Sequence, residues 1–270
     1  MTSANSESMI DPVFVCGAPR SGVRLLGALL DGHSQLACGP ELPFVVTMAQ
    51  QWRDLEATLG ANHEQHYDRP RTATKDAFRA AILKLVAPHL ARTRKSRFVF
   101  QSFAAAMSME VLATLFPRAR FVLLVRDARA SAASLLRCQW RNPRDGQMLA
   151  YTQDVQAGAR FWVEFNALMA RAAPALGERA LWLRYEDLSA DPIAACDRLA
   201  RFLNVAPIQP SIDANSARHV IASPTDPHPE LRAGAIDRMS IDRWRDLLDA
   251  RQRVAIQAIA ASGLAKFGYA

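Results

Sequence analysis

Two short clusters in this chain carry residues suited to holding an anion. The first is Gly17-Ala18-Pro19-Arg20-Ser21-Gly22-Val23-Arg24. Its glycines stand in the G-x-x-x-x-G spacing of a phosphate-binding loop, whose backbone N–H groups point at an anion while the helix dipole favours negative charge. A nucleotide–Mg²⁺ loop would continue with Lys and then Ser or Thr, but those positions are Val23 and Arg24. With no hydroxyl to ligate magnesium, the loop argues against ATPase or GTPase chemistry and for an anion bound without metal. A plain glycine turn between a strand and a helix would use the same residues. The second cluster is Arg126-Asp127-Ala128-Arg129-Ala130-Ser131-Ala132-Ala133-Ser134. Arg126 offers a forked donor, and Ser134 lies eight residues on, two helical turns along, where it can face the same anion. A helix start capped by Asp127 and flanked by solvated arginines is the other reading of that stretch.

Both clusters need a strand before them and a helix after them, and the pattern supplies these. Val13 to Cys16 is a short apolar run ending in Gly-Ala-Pro, a buried strand and its turn. Leu25, Leu26, Leu29 and Leu30 then share one helical face. Helices are predicted over 43–59 and 73–92, a second strand over 97–101, and a helix from there to Leu115, broken by Phe116-Pro117. Phe121 to Val125 is the strongest strand signal, followed by a helix over 128–137. A helix over 151–173, a fourth strand over 180–184 and a helix over 191–203 come next. Residues 204–237 carry five prolines and little periodicity, too long for an ordinary connection. A last amphipathic helix is predicted over 239–262. Strands alternating with helices argue an α/β fold, a parallel sheet with helices on both faces. Residues 1–11 read as a flexible N-terminus and 12–270 as one domain.

The chain has 270 residues, 50% hydrophobic and 22% charged, which excludes disordered and low-complexity classes. Its net charge is +7, and 29 of the 33 basic residues are arginine. That bias suits forked recognition of phosphate, sulfate or carboxylate; it also suits a GC-rich, bacterial-type gene. The arginines are spread along the chain without a basic run interleaved with aromatics, so nucleic acid is not an expected partner. Cys16, Cys38, Cys138 and Cys196 are widely spaced and read as reduced, buried small hydrophobes. The opening MTSANSESMIDP lacks the basic and apolar regions of a signal peptide, and no apolar run reaches membrane-spanning length. The expectation is a cytoplasmic protein with no membrane partner, a homodimer being left open.

Taken in order, strand–PRSG–helix, LFPRARFVLLVRDARASAAS, Leu183-Arg184-Tyr185-Glu186-Asp187-Leu188, Asp191-Pro192, Phe202-Leu203 and Lys266-Phe267-Gly268-Tyr269 resemble the sulfotransferases that use 3′-phosphoadenosine-5′-phosphosulfate (PAPS). The resemblance extends over nearly the whole chain and implies a P-loop-like parallel sheet, the sulfotransferase fold, with PAPS as donor and no metal. It implies that Arg20, Ser21 and Gly22, continued by Val23, grip the 5′-phosphosulfate. Arg126 and Ser134 match the pair that grips the 3′-phosphate, and Tyr185 a tyrosine near the adenosine. The stretch PRSGVRLLGALLDGHSQLACGPE is similar to tyrosylprotein sulfotransferases, where a glutamate after Cys-Gly is the general base; here that is Glu41. A carboxylate capping the helix that starts near Pro43 is the other reading of Glu41.

Three departures accompany the resemblance. The family loop continues SGTT where this chain has Val23-Arg24. The family's K-x-P lysine falls on Gln101, with Phe103 at the proline. Two arginines that would bind an acidic acceptor peptide are Pro43 and Thr47. Arg24 is therefore a candidate catalytic cation replacing the lysine, and Arg53, Arg69, Arg71 or the 204–237 segment are candidates for holding acidic peptide. The expected function is sulfuryl transfer to a hydroxyl, most naturally tyrosine in a peptide. The alternatives are a small-molecule phenol or alcohol acceptor, since Leu42-Pro43-Phe44-Val45-Val46 is apolar, and a degenerate fold that binds nucleotide without catalysis.

Overall fold

In the computed structural model, the described residues are 11–59, 62, 70–213, 216, 234–236, 238 and 241–269. Strand β1 (Val13–Gly17) leads to helix α1 (Val23–Asp31), β2 (Leu36–Cys38), α2 (Pro43–Leu59), α3 (Arg71–Thr93) and β3 (Arg97–Gln101). Then come α4 (Phe103–Ala106), α5 (Met109–Leu115), β4 (Arg120–Val125), α6 (Ala128–Cys138), α7 (Val155–Leu176) and β5 (Ala180–Arg184). The chain ends through α8 (Tyr185–Ala190), α9 (Pro192–Leu203), the short β6 (Ser211–Ile212) and β7 (Gly234–Ala235), α10 (Trp244–Leu247) and α11 (Ala250–Lys266).

The main sheet has five strands, all parallel, in the order β2-β3-β1-β4-β5. Strands β1 to β4 are buried almost throughout, as a parallel sheet covered on both faces requires, while in the edge strand β5 only Leu183 is fully buried. Phe14 and Cys16 of β1 face one core with Phe98, Phe100, Phe121 and Leu123, covered by α2, α3, α5 and α7. Phe14 stacks on Phe100 and Phe121, with ring centres 5.4 and 5.0 Å away. Val13 and Val15 face the other way, with Val99, Val122, Leu124 and Leu183, under α1 and α9. Helices α6, α7 and α11 form a third apolar cluster around Trp162 and Trp244.

Several predicted boundaries move. β2 is a fifth strand, and its three residues, Leu36 to Cys38, are too short to leave a periodic trace. The helix after β3 is two pieces, α4 and α5, each with a serine at its N-cap. The predicted 151–173 helix starts at Val155, where Asp154 caps it, and runs on to Leu176. The last helix starts at Ala250 rather than 239, because Asp249 and Gln252 form a reciprocal capping box there. Asp11 does not belong to a flexible N-terminus. It is 2% exposed, and its carboxylate accepts from Arg118 N at 2.7 Å and pairs with Arg79. Arg97 is buried beside it, donating to Asp11 O and Leu203 O, each at 2.9 Å, and burial pushes its guanidinium down to about 10. This arginine cluster sits at the amino ends of the strands, away from the loop after β1, so part of the arginine richness is structural.

All four cysteines are free and buried, as expected. Among the described residues no helix is long and apolar enough to cross a membrane. Most of 204–237 lies outside the described residues, apart from 204–213, 216 and 234–236, which include the β6–β7 antiparallel pair.

Candidate active site

Five of the residues singled out for chemistry lie at the carboxyl ends of the five strands: Arg20 after β1, Glu41 after β2, Gln101 at the end of β3, Arg126 after β4 and Tyr185 after β5. Open α/β sheets bind ligands along this edge. The loop after β1 closes with Ser21 N donating to Ala18 O at 3.0 Å. Gly17 is required because a Cβ there would stand 2.5 Å from Ser21 Oγ and 2.7 Å from Leu124 O. Gly22 takes φ +99, and Arg20, a non-glycine, takes φ +71, an uncommon conformation that costs energy and concentrates at functional sites. Gly22 is the N-cap of α1, with no side-chain cap and no acidic residue in the first turn. Ser21 Oγ is buried with no hydrogen-bond partner among the described residues, its residue 1% exposed. An uncapped helix start and an orphaned hydroxyl together form a donor set that lacks an acceptor.

The two predicted anion clusters meet. Arg20 Nε donates to Ser134 Oγ at 2.9 Å, and Arg126 Nη1 donates to Arg20 O at 3.1 Å. The Arg126 guanidinium lies 4.2 Å from the ring centre of Tyr185, which is 5% exposed. The backbone carrying Arg126 is held on two sides. Trp162 Nε1 donates to Arg126 O at 2.8 Å, and Asp127 N donates to Glu186 Oε1 at 3.0 Å. Glu186 in turn accepts from the Tyr269 hydroxyl at 2.7 Å. Burial pushes the Glu186 carboxyl up, opposed by the Asp127 and Tyr269 hydrogen bonds and the Arg126 charge. The other reading of this stretch holds for the Asp127 cap but not for solvated arginines, since the Arg129 side chain is largely buried. Asp127 does cap α6, accepting from Arg129 N at 2.7 Å and pairing with the Arg129 guanidinium at 2.6 Å. Arg126 instead turns toward the loop. Trp162 carried no sequence signal; Glu186 and Tyr269 stood inside the Leu183–Leu188 and Lys266–Tyr269 motifs, but without a positioning role.

Glu41 is half-buried on the segment between β2 and α2. Its Oε1 accepts from Ser102 Oγ, and Oε2 makes no hydrogen bond among the described residues. No α2 backbone N–H bonds to it, so it is not acting as a cap for that helix. Gln101 does not face the loop as a free end. It is 3% exposed, and its Nε2 donates to Gly39 O at 3.0 Å. Its Cδ and Oε1 pack so that a Cβ on Gly27 of α1 would stand 3.2 Å from each. Val23 opens α1 with its side chain folded back toward Gly17, and Arg24 is half-buried in the first turn. Pro43 and Thr47 lie exposed on the first turns of α2 and carry no charge. Arg53, exposed farther along α2, pairs with Asp54 at 3.1 Å, while Arg69 and the Arg71 side chain lie outside the described residues.

A family model described as "Sulfotransferase family" matches residues 12–210. The chain belongs to the sulfotransferase family. The match ends well before the Lys266-Phe267-Gly268-Tyr269 motif, so the sequence resemblance is shorter than the whole-chain extent expected. A protein-tyrosine sulfotransferase A of Caenorhabditis elegans is 26% identical over 198 residues, 72% of this chain and 50% of that one. The chain spans about half the length of the curated relatives it matches. Among solved structures, the sulfotransferase domain of the Synechococcus PCC 7002 olefin synthase superposes with a TM-score of 0.60 at 22% identity, over 97% of this chain and 96% of that one. A mouse sulfotransferase complexed with PAP superposes with a TM-score of 0.53 at 11% identity, over 96% and 87% of the two chains. These neighbours share the fold expected from the sequence.

Proposed function

We propose that the chain is a PAPS-dependent sulfotransferase whose acceptor is the phenolic hydroxyl of tyrosine in a peptide or protein. One observation carries the nucleotide part of this reading: Arg20, Ser134 and Arg126 converge on a loop whose Ser21 hydroxyl is buried with no partner among the described residues and whose helix start has no side-chain cap. These residues fit a doubly anionic nucleotide. Arg20, Ser21 and the first N–H groups of α1 would hold the 5′-phosphosulfate, and Arg126 with Ser134 the 3′-phosphate. When bound, PAPS supplies an activated sulfuryl group. The mouse neighbour's complex with PAP, the desulfated nucleotide, supports that ligand class.

Within this reading Tyr185 supports Arg126 and Gly22 from below, and Glu41 Oε2 accepts the proton of the attacking hydroxyl. Arg24, in the first turn of α1, supplies positive charge near the transferring group. The tyrosine acceptor rests on the names of the curated relatives. A net charge of +7 would draw acidic peptides by long-range attraction. The test is incubation with radiolabelled PAPS and a panel of tyrosine peptides and simple phenols at several salt concentrations. Label on acidic tyrosine peptides, with kcat/KM falling as salt rises, supports the reading. Label on neutral phenols alone replaces the peptide with a small molecule, and no label on any acceptor overturns sulfuryl transfer.

A further inference from the structure

The residues ending β3 do something that neither motif nor family match assigns: they grip the segment that carries Glu41. Ser102 is 6% exposed and sits at the N-cap of α4, where its Oγ accepts from Ala104 N at 3.0 Å. With that lone pair engaged, the hydroxyl proton is directed to Glu41 Oε1. Immediately before it, Gln101 Nε2 donates to Gly39 O, two residues ahead of Glu41. The last residue of β3 and the N-cap of α4 thus hold the Gly39–Glu41 segment at its backbone and at its carboxylate. Oε1 already accepts this hydrogen bond, and Oε2, with no hydrogen bond among the described residues, is the oxygen better placed to meet an acceptor. A carboxylate free to rotate would present either oxygen over a range of angles, and loss of alignment in a proton transfer is costly.

We propose that Ser102, assisted by Gln101, is a positioning residue that orients Glu41 so that Oε2 receives the acceptor's proton. The inference rests on the reading of Glu41 as general base. In the step it serves, the acceptor O–H proton moves to Glu41 Oε2 as the acceptor oxygen bonds to sulfur. The bond from sulfur to the bridging oxygen breaks, and its electron pair leaves with adenosine 3′,5′-bisphosphate.

The experiment is a double-mutant cycle on the full chain with Ser102→Ala, Glu41→Gln and the double variant, plus Ser102→Thr. Thermal unfolding and calorimetric binding of adenosine 3′,5′-bisphosphate are measured on each. Ser102→Ala is expected to lower kcat about tenfold or more, with nucleotide Kd unchanged. Ser102→Thr, which keeps the hydroxyl and the cap, should return to within about threefold of wild type. In the Glu41→Gln background, Ser102→Ala should cost less than about twofold, because it acts through the carboxylate. In nucleotide-free protein the ¹³C carboxyl resonance of Glu41 should move in Ser102→Ala and return in Ser102→Thr. Wild-type turnover in Glu41→Gln overturns the base itself. A large loss in Glu41→Gln with none in Ser102→Ala, or an equal Ser102→Ala loss in both backgrounds, overturns the positioning role alone.

Discussion

Tyr185 lies so close to Gly22 that a Cβ on the glycine would stand 2.5 Å from Tyr185 Cδ2. The same ring carries the Arg126 guanidinium 4.2 Å from its centre. The end of β5 therefore supports both the loop after β1 and the arginine after β4. Gly22→Ala meets two obstacles at once, a φ of +99 and the tyrosine ring. Left-handed backbone alone costs a non-glycine residue about 1–2 kcal/mol. The expected outcome is a midpoint at least about 4 °C lower by thermal unfolding and adenosine 3′,5′-bisphosphate binding weakened more than about tenfold. A variant that binds normally would show that the loop does not shape the phosphate site.

Arg126 is expected to hold a nucleotide phosphate. Hydrogen bonds to charged groups contribute about 1.5–3 kcal/mol, so Arg126→Ala should weaken adenosine 3′,5′-bisphosphate about ten- to a hundredfold. Binding should need no added metal, since Val23 and Arg24 replace the magnesium-binding pattern. Calorimetry in EDTA and in Mg²⁺ checks both points, and binding that requires Mg²⁺ would sink this assignment.

Glu41→Gln keeps the side-chain shape and still offers a carbonyl oxygen to Ser102. A general base contributes about 10²–10⁴-fold, so kcat should fall by that range while nucleotide affinity stays within about twofold. Steady-state kinetics with saturating PAPS distinguishes this from a binding defect.

The architecture was readable wherever a strand or helix was long enough to repeat. β1, β3, β4 and β5 and the helices after them followed from apolar runs and glycine punctuation. β2 was not readable, because Leu36 to Cys38 offers one alternation at most. The candidate anion-binding residues Arg20, Arg126 and Ser134 stood out by type and spacing. Their mutual contacts were not, since Arg20 and Ser134 are 114 positions apart. Counting positions placed Gln101 where a lysine would face the donor, but a count carries no direction. The side chain instead runs under α1 to Gly39 O. Ser102 gave no signal at all, as its partner Glu41 is 61 residues away.

His33 ties stability to pH. It is 6% exposed; its Nδ1 accepts from Gln35 N at 3.1 Å, so its proton is on Nε2, facing Ala206 O at 3.1 Å. Burial pushes its pKa below the ordinary 6.5, with the Lys95 charge adding to the shift and Ala206 O opposing it. The unfolded chain then binds a proton that the folded chain does not. This contribution is present above pH 6.5 and is lost as pH falls toward the lowered folded value. Thermal midpoints between pH 8 and 5.5 should fall on acidification, and in His33→Gln that fall should be shallower. Parallel curves for the two proteins would remove His33 as the cause.

Gln101 and Arg24 separate two accounts of the missing lysine. If the chain were simply weakened, restoring the lysine should raise its rate. Gln101 is 3% exposed, and its amide is already spent on Gly39 O against the Gly27 face of α1. A lysine there would either bury an ammonium beside apolar Cys38 or push α1 aside, and an uncompensated buried charge is costly. Gln101→Lys is therefore expected to lower the thermal midpoint by several degrees and leave kcat no higher than wild type. Under the proposed function, the positive charge for the leaving group comes from Arg24, in the first turn of α1. Arg24→Ala should lower kcat more than about threefold with a small change in nucleotide Kd, since charge that develops in the transition state is what it stabilises. A rate rise in Gln101→Lys, or an Arg24→Ala loss below threefold, would reverse this account and leave a sulfotransferase lacking its cation.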